Sequence, residues 1–275
     1  MDLSIIIVSY NASAHLERCL ESLRANPPAV PHEIIVVDNH SSDDSADVAA
    51  RFAAVRVIRS DTNRGFAAAN NLGIRASSGA HLLLLNNDTV VPQGAIDGLV
   101  ERLAREPDVA VIGPRLVDGA GRAELSFGAM ISPLAEWRQA RLAWSLANNE
   151  PEAVATVEAM TRREQRPDWV TGACMLVRRS DAEAVGLLDE RFFMYTEDVD
   201  FCASLRARGR QILFLPSVEV VHLRGRSAAT AFAATRQAYE QSHLRFYQKH
   251  QPVYVPLLLL FRLARRLIVR VPGRQ

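Results

Sequence analysis

The feature that most constrains this chain is the exchange of short apolar runs with amphipathic stretches over its first ninety residues. Residues 3–8 and 34–37 are continuous, largely β-branched runs, the pattern of strands buried on both faces of a parallel sheet. Between them, 15–25 carries Leu16, Leu20 and Leu23 on one helical stripe, and Pro27-Pro28 closes it. Strand, helix, strand is a βαβ unit. A second helix is predicted over 44–52, a third strand over 55–58, a third helix over 65–76 and a fourth strand over 81–85. This alternation predicts an open α/β sheet flanked by helices.

Beyond it, 95–105 predicts a helix, and 109–112, 173–177 and 212–215 predict strands. From 130 to 166 the pattern weakens, and Trp137, Leu142 and Trp144 suggest a partly amphipathic helical segment in a connecting region. A helix is predicted over 228–250. Pro252 and Pro256 then interrupt the chain before an apolar, basic helix over 257–269.

The 275 residues, 48% hydrophobic and 23% charged, suffice for one large core. Cys19, Cys174 and Cys202 are an odd number at no metal-like spacing, which favours a reducing compartment over a disulfide framework. The first residues do not read as a secretory signal, and no apolar run reaches the length of a membrane span. The net charge of +1 hides an asymmetry: no Asp or Glu follows Glu240, while Arg262, Arg265, Arg266, Arg270 and Arg274 do. A basic tail on an acidic body suits an anionic partner surface for the tail alone.

Ligands of open α/β sheets collect at the C-terminal ends of strands, and four motifs fall there. Ser9-Tyr10-Asn11 follows the first strand, and Asp38-Asn39-His40-Ser41-Ser42-Asp43 follows the second. The Asp38 carboxylate can accept from a base imide or a ribose hydroxyl, whereas Asn11 and Ser42 read equally well as helix caps. In the third motif, Asn63 to Asn71, Gly65 permits close backbone approach and the helix start attracts phosphate, with Arg64 beside it. Read alone it is also a plain turn. Asn86-Asn87-Asp88 ends the fourth strand, where one carboxylate together with substrate phosphates suits Mg2+ or Mn2+; a capped turn is the rival reading.

Downstream, Glu197, Asp198 and Asp200 crowd three carboxylates into four residues. Such crowding is costly unless a cation, a base role or hydrogen bonds compensate. Asp198 suits a general base, and Glu197 and Asp200 suit support of a helix starting near Val199. His222 is either structural or a further metal ligand.

In their order, these motifs resemble the family 2 glycosyltransferases. The likeness is carried by Ser9-Tyr10-Asn11, Val37-Asp38-Asn39, Asn63-Arg64-Gly65-Phe66-Ala67 with Asn70, Asn86-Asn87-Asp88, Thr171-Gly172-Ala173, Leu188-Asp189-Glu190 and the 197–200 cluster with His222. It covers about residues 3–227, and the bacterial rhamnosyltransferase branch is the most similar. The resemblance implies a GT-A fold in a domain spanning 1–227, with a nucleotide-binding half over 1–115, an acceptor-binding half over 116–227 and a helical extension over 228–275. It implies that Ser9, Tyr10, Asn11 and Asp38 line the nucleotide pocket. Asn63, Arg64, Gly65, Asn70, Asn86 and Asn87 would lie near the donor. Asp88 would bind Mg2+ or Mn2+, with His222 as a further ligand, and Asn86 stands where the family's first metal-motif acid is found. Asp198 corresponds to the catalytic base, with Glu197, Asp200, Thr171, Gly172 and Arg224 as acceptor or supporting residues.

The implied reaction is inverting transfer of a sugar, L-rhamnose from dTDP-rhamnose in the branch it resembles, to a glycan or polyprenyl-linked acceptor in cell-envelope synthesis. A donor with another UDP- or dTDP-sugar, a pyrophosphorylase-like enzyme and a non-catalytic nucleotide-sugar binder are the rivals. The expected setting is cytoplasmic, peripheral on the inner membrane through a basic amphipathic final helix with its arginines on one arc, without nucleic acid and with self-association left open. A final helix docked on the protein with its arginines outward is the other reading of that segment.

Overall fold

The structure, a computed structural model, describes residues 1–223 and 232–269. In chain order the elements are β1 (Leu3–Ser9), α1 (Ser13–Ala25), β2 (His32–Asp38), α2 (Ser45–Ala50), β3 (Val55–Arg59), α3 (Gly65–Arg75), β4 (His81–Asn86), β5 (Thr89–Val90), α4 (Ala95–Ala104) and β6 (Val109–Val117). There follow β7 (Phe127–Gly128), α5 (Pro133–Ala147), α6 (Pro151–Thr161), β8 (Trp169–Val170), β9 (Cys174–Arg178), α7 (Arg179–Ala184), α8 (Glu197–Ala207), β10 (Gln211–His222), α9 (Phe232–His250) and α10 (Val255–Val269).

Eight strands form one mixed sheet in the order β3-β2-β1-β4-β9-β6-β10-β5. The first four are parallel, as the continuous apolar runs predict. β9 enters antiparallel between β4 and β6. Because strand side chains alternate, each central strand feeds two cores. Leu3, Ile5, Ile7, Leu83 and Leu85 pack with Leu16, Leu20 and Leu23 of α1 and with α4 on one face. Ile6, Leu82 and Leu84 pack with α3, α8 and Phe246 of α9 on the other.

Two regions depart from the sequence expectation. Residues 130–166 contain two helices rather than one weak segment. Each opens with proline, Pro133 behind the Ser132 cap and Pro151 after Glu150. α5 buries none of its residues, so no core stripe marks it. β10 runs well past 215, because Pro216 falls where the pairing with β6 shifts register between Leu215 and Glu219 instead of ending the strand.

α9 is part of the body. Phe246 and Tyr247 are fully buried, and the Ser242 hydroxyl donates to the Met194 carbonyl at 2.9 Å. Lys249, the only lysine in the sequence, lies 2.9 Å from buried Asp200 and 3.0 Å from Asp189. His250 meets Asp200 at 2.7 Å. Asp200 therefore ties α8 to α9. On α10 the expected outward arc of arginines is reversed at Arg262, whose guanidinium reaches inward to the Glu240 carbonyl at 2.8 Å and to His243 Nδ1 at 3.1 Å. Arg270 and Arg274 lie outside the described residues.

Removing one partner from a buried ion pair leaves the other uncompensated. Asp200→Ala is expected to lower unfolding free energy by about 2–4 kcal/mol in urea denaturation. Arg105→Ala, which removes an exposed partner of Glu101, should change it by less than about 1 kcal/mol.

Candidate active site

Register brings three strand ends to one edge of the sheet. Ser9 pairs with Asp38 across β1 and β2, and Val8 pairs with Asn86 across β1 and β4. Asn87 Nδ2 donates to Ser9 Oγ at 3.3 Å, and Tyr10 is exposed beside them. Asp38 is buried. Its Oδ2 accepts from the Ser41 amide at 3.3 Å, while Oδ1 has no partner among the described residues. A buried carboxylate oxygen without a donor is costly, which makes Oδ1 an acceptor for an incoming N–H or O–H group.

Asn11 and Ser42 cap no helix. Asn11 Oδ1 accepts from the Ser42 amide at 2.7 Å, and the Asn11 amide donates to Ser41 Oγ at 3.0 Å. The pair clasps the loops after β1 and β2, and Asn11 takes the left-handed conformation, φ 50°, that asparagine tolerates.

The third motif is built for internal contacts. Buried Asn39, a member of the second motif to which the sequence assigned no separate role, donates to Asn63 Oδ1 at 2.9 Å and accepts from the Arg64 amide at 2.9 Å. Asn63 Oδ1 also accepts from the Gly65 amide at 3.0 Å. Gly65 has φ 80°, and a Cβ there would lie 2.2 Å from the Phe193 carbonyl oxygen. That oxygen accepts from the Phe66 amide at 2.7 Å. The close approach that needs glycine here is made by the chain's own backbone at Phe193. Arg64 lies 3.5 Å from Glu190, which also holds Arg75 at 2.9 Å. Asn70 donates to its own helix at Phe66, while Asn71 grips both the N–H and the C=O of Leu188. Asn71 faces the loop because one step along a helix turns a side chain by about 100°.

The fourth motif meets His222 through topology. β5 lies antiparallel against the end of β10 with Thr89 opposite His222, and the Leu223 amide donates to the Asp88 carbonyl at 2.8 Å. His222 Nε2 is 3.2 Å from Asp88 Oδ1, and Asn86 Nδ2 lies 3.5 Å from the same nitrogen. His222 Nδ1 is 3.0 Å from Glu124 Oε2. Glu124 arrives there on the return from a turn closed by Asp118, with its amide on the Leu116 carbonyl. No motif spacing marks it in the sequence. Burial lowers the His222 pKa, but the hydrogen bonds and charges of Asp88 and Glu124 outweigh it and push it up to about 9. With Nδ1–H on Glu124, His222 Nε2 and Asp88 Oδ1 are the two atoms that would hold a divalent ion in place of the proton between them. Among the described residues no group of three or more His, Cys, Asp or Glu is arranged to hold a metal ion.

The second acid cluster is reached through one backbone bond: the Asn86 amide donates to the Ala173 carbonyl at 2.9 Å. One residue earlier, the Gly172 amide donates to Asp198 Oδ2 at 3.0 Å, and Asp198 Oδ1 accepts from the Val199 amide at 2.8 Å. The Thr171 hydroxyl adds a further hydrogen bond. Asp198 is half-buried at the N-terminus of α8, after two left-handed residues, Tyr195 at φ 66° and Thr196 at φ 70°. Burial raises its pKa and these hydrogen bonds oppose the rise, leaving it above the usual aspartate value. Glu197 is buried with Oε2 unpartnered. Burial first, then the charges of Asp198 and Asp200, hold its pKa well above the carboxylate range. Arg224 and Arg226 lie outside the described residues.

Comparison with known proteins bears on this geometry. The chain is 31% identical over 252 residues, 87% of its length and 82% of the relative's, to an N-acetylglucosaminyl-diphospho-decaprenol L-rhamnosyltransferase of Mycobacterium tuberculosis. It is 28% identical over 252 residues, 89% of its length and 74% of the relative's, to the low-salt glycan biosynthesis hexosyltransferase Agl10 of Haloferax volcanii. Among solved structures it resembles the mannosyltransferase PcManGT from Pyrobaculum calidifontis, in complex with GDP-Man and Mn2+, with TM-score 0.61 and 18% identity over 93% of this chain and 67% of that one. It also resembles GalNAc-T7 with UDP, GalNAc and Mn2+, with TM-score 0.65 and 16% identity over 93% of this chain and 49% of that one. These likenesses identify the fold as GT-A. Residues 4–186 match the sequence profile of glycosyl transferase family 2, and the chain belongs to that family of glycosyltransferases.

Proposed function

We propose that the chain transfers L-rhamnose from dTDP-rhamnose, with inversion, to a hydroxyl of a polyprenyl-linked glycan at the cytoplasmic face of the inner membrane. The observation that carries the reaction type is the join between two acidic corners: Asp88 with His222, and Asp198, linked through Asn86 and Ala173. The mycobacterial relative, an L-rhamnosyltransferase acting on N-acetylglucosaminyl-diphospho-decaprenol, supports the transferred sugar and the lipid-linked acceptor.

In this reading Asp38 Oδ1 accepts from the pyrimidine base or the ribose, with Ser9 and Tyr10 beside it. Asn11, Asn63, Gly65 and Asn70 shape the loops of the donor pocket through the internal bonds described above. Arg64, paired with Glu190, is a reserve of positive charge near the donor. Asp88 and His222 would hold Mg2+ or Mn2+, whose chemistry when bound is to neutralise charge on the departing diphosphate as a Lewis acid. Asp198 takes the proton of the acceptor hydroxyl. The hydroxyl oxygen forms a bond to the anomeric carbon as the bond to the diphosphate oxygen breaks, and the diphosphate leaves with the electron pair. Attack from the opposite face inverts the centre, and no enzyme nucleophile takes part. Gly172 and Thr171 hold the base in place. Burial and the neighbouring carboxylates raise the Glu197 pKa, which disfavours a second negative charge beside the base.

Five measurements test this. In a thermal-shift panel of nucleotide sugars with Mn2+ or Mg2+, dTDP-rhamnose should give the largest rise. A larger rise with another UDP- or dTDP-sugar replaces the donor, and no rise with any pyrimidine nucleotide removes the reading. Asp198→Asn should lower kcat by about 10²–10⁴-fold while the donor shift persists. The acidic limb of the wild-type kcat profile should lie above the ordinary aspartate value of 3.8, because the base is lost as pH falls through a raised pKa. Finally, a cation at Asp88 competes with the His222 proton. Apparent Mn2+ affinity should therefore climb as pH rises toward about 9, and the climb should vanish in His222→Gln. Asp88→Ala with metal-dependent turnover intact would sink the ligand assignment.

A further inference from the structure

We propose that the outward faces of α5 and α10 form one seat for an anionic lipid bilayer. The proposal rests on the transferase reading only for its purpose, which is to hold a lipid-linked acceptor near the base; the surface itself is argued from what these helices expose.

α5 buries no residue. Leu134, Trp137, Arg141 and Trp144 recur at helical spacing on one stripe, with Trp137 60% and Trp144 64% exposed. The Arg141 guanidinium stands 5.9 Å over the Trp137 ring. On α10, Leu257, Leu260, Phe261 and Leu263 are each more than half exposed. Large apolar side chains exposed together along a helix face mark an interaction site.

The two helices are joined through α9. Glu136 of α5 pairs with His243 and accepts from the Tyr247 hydroxyl at 2.6 Å, while Arg262 of α10 reaches the other nitrogen of His243. This clasp draws inward the only acid of α5. It leaves Arg138 and Arg141 with the tryptophans outside, and no Asp or Glu follows Glu240 in the sequence. The exposed set is therefore tryptophan, leucine, phenylalanine and arginine, the composition of an element lying in a membrane interface.

Charge selects the occupant. An isologous dimer across this face would set its cations against their own copies, whereas anionic headgroups complement them. Among the described residues no helix is long and apolar enough to cross a membrane, so the seat lies on the surface. It is one helix away from the catalytic loop. α9 carries Tyr239, 6.1 Å from Tyr195, and Ser242, which bonds Met194, just ahead of Asp198.

The test is flotation of the full chain with phosphatidylglycerol vesicles and with phosphatidylcholine vesicles, together with tryptophan emission. Trp169 is buried and bonded to the Ala129 carbonyl, so a lipid-induced blue shift and quenching by brominated lipid report Trp137 and Trp144. Binding to the anionic vesicles, weakened by salt, is expected. Trp137→Glu with Trp144→Glu, and separately Leu260→Glu with Phe261→Glu, should each lower partitioning by at least about tenfold. The donor thermal shift checks that both variants fold. No uptake by anionic vesicles, or uptake undiminished in both variants, overturns the seat. So does a concentration-dependent dimer in sedimentation that the same variants dissolve without any vesicle uptake. Vesicle uptake as expected, with no nucleotide sugar shifting stability, upholds the seat and strikes the transferase reading instead.

Discussion

The antiparallel entry of β9 between β4 and β6 is the constraint on which the site depends. The parallel half of the sheet, β3-β2-β1-β4, gathers Ser9, Asp38 and Asn86 at one edge. A further parallel strand beside β4 would run in the opposite sense and carry its preceding loop to the far edge. Running backwards, β9 sets Cys174 opposite Leu85, and so brings Thr171, Gly172 and Ala173 to the same edge as the nucleotide-side loops. The Asn86 amide on the Ala173 carbonyl fixes that junction, and the Gly172 amide then fixes Asp198. The second short antiparallel pairing, β5 on β10, does the same for Asp88 and His222. Both reversals fall at the edge where Asp88, His222 and Asp198 gather.

Glycine and asparagine serve this framework more than they serve a ligand. Gly65 has no room for a Cβ because the backbone at Phe193 lies against it, and Gly172 sits against the Phe66 ring and Asp198. Asn11, Asn39, Asn63 and Asn71 spend their amides on loop backbones and on one another. Loops that carry a site must satisfy their buried polar groups somehow, and asparagine, with donor and acceptor on one side chain, closes two at once.

The strand runs and the helix stripe of α1 were legible because burial on both faces of a parallel sheet leaves a period that composition cannot hide. The strand-end motifs were legible for the same reason: a polar residue after such a run marks the sheet edge. Glu124 was not, since it reaches His222 only through the turn after β6 and the register of β10. The extent of β10 was hidden by Pro216, which is tolerated at a register shift. Asp200 read as part of an acidic cluster, yet its partners, Lys249 and His250, lie some fifty residues away on a helix whose packing the local pattern does not reveal. Arg262 looked like one member of a solvent-facing arc. It turns inward because His243 and the Glu240 carbonyl, both on α9, offer it acceptors.

The acidic cluster of α8 shows how like charges are kept together without mutual destruction. Three carboxyls in one helical turn would repel, and the helix dipole and free amides at the N-terminus relieve only part of that. Each acid is handled differently. Asp200 is neutralised by Lys249 and His250 and spent on docking α9. Glu197 is buried, with no partner for Oε2 among the described residues, and burial with the nearby charges raises its pKa. Asp198 is held by backbone amides and the Thr171 hydroxyl, which favour its charged form without cancelling it as a cation would. Burial still raises its pKa, so it holds a captured proton better than an exposed aspartate does. A cation beside Asp198 would have made the cluster more stable and drawn its pKa down. Lys249 pairs instead with Asp200, two residues after Asp198 on α8, where it serves the fold.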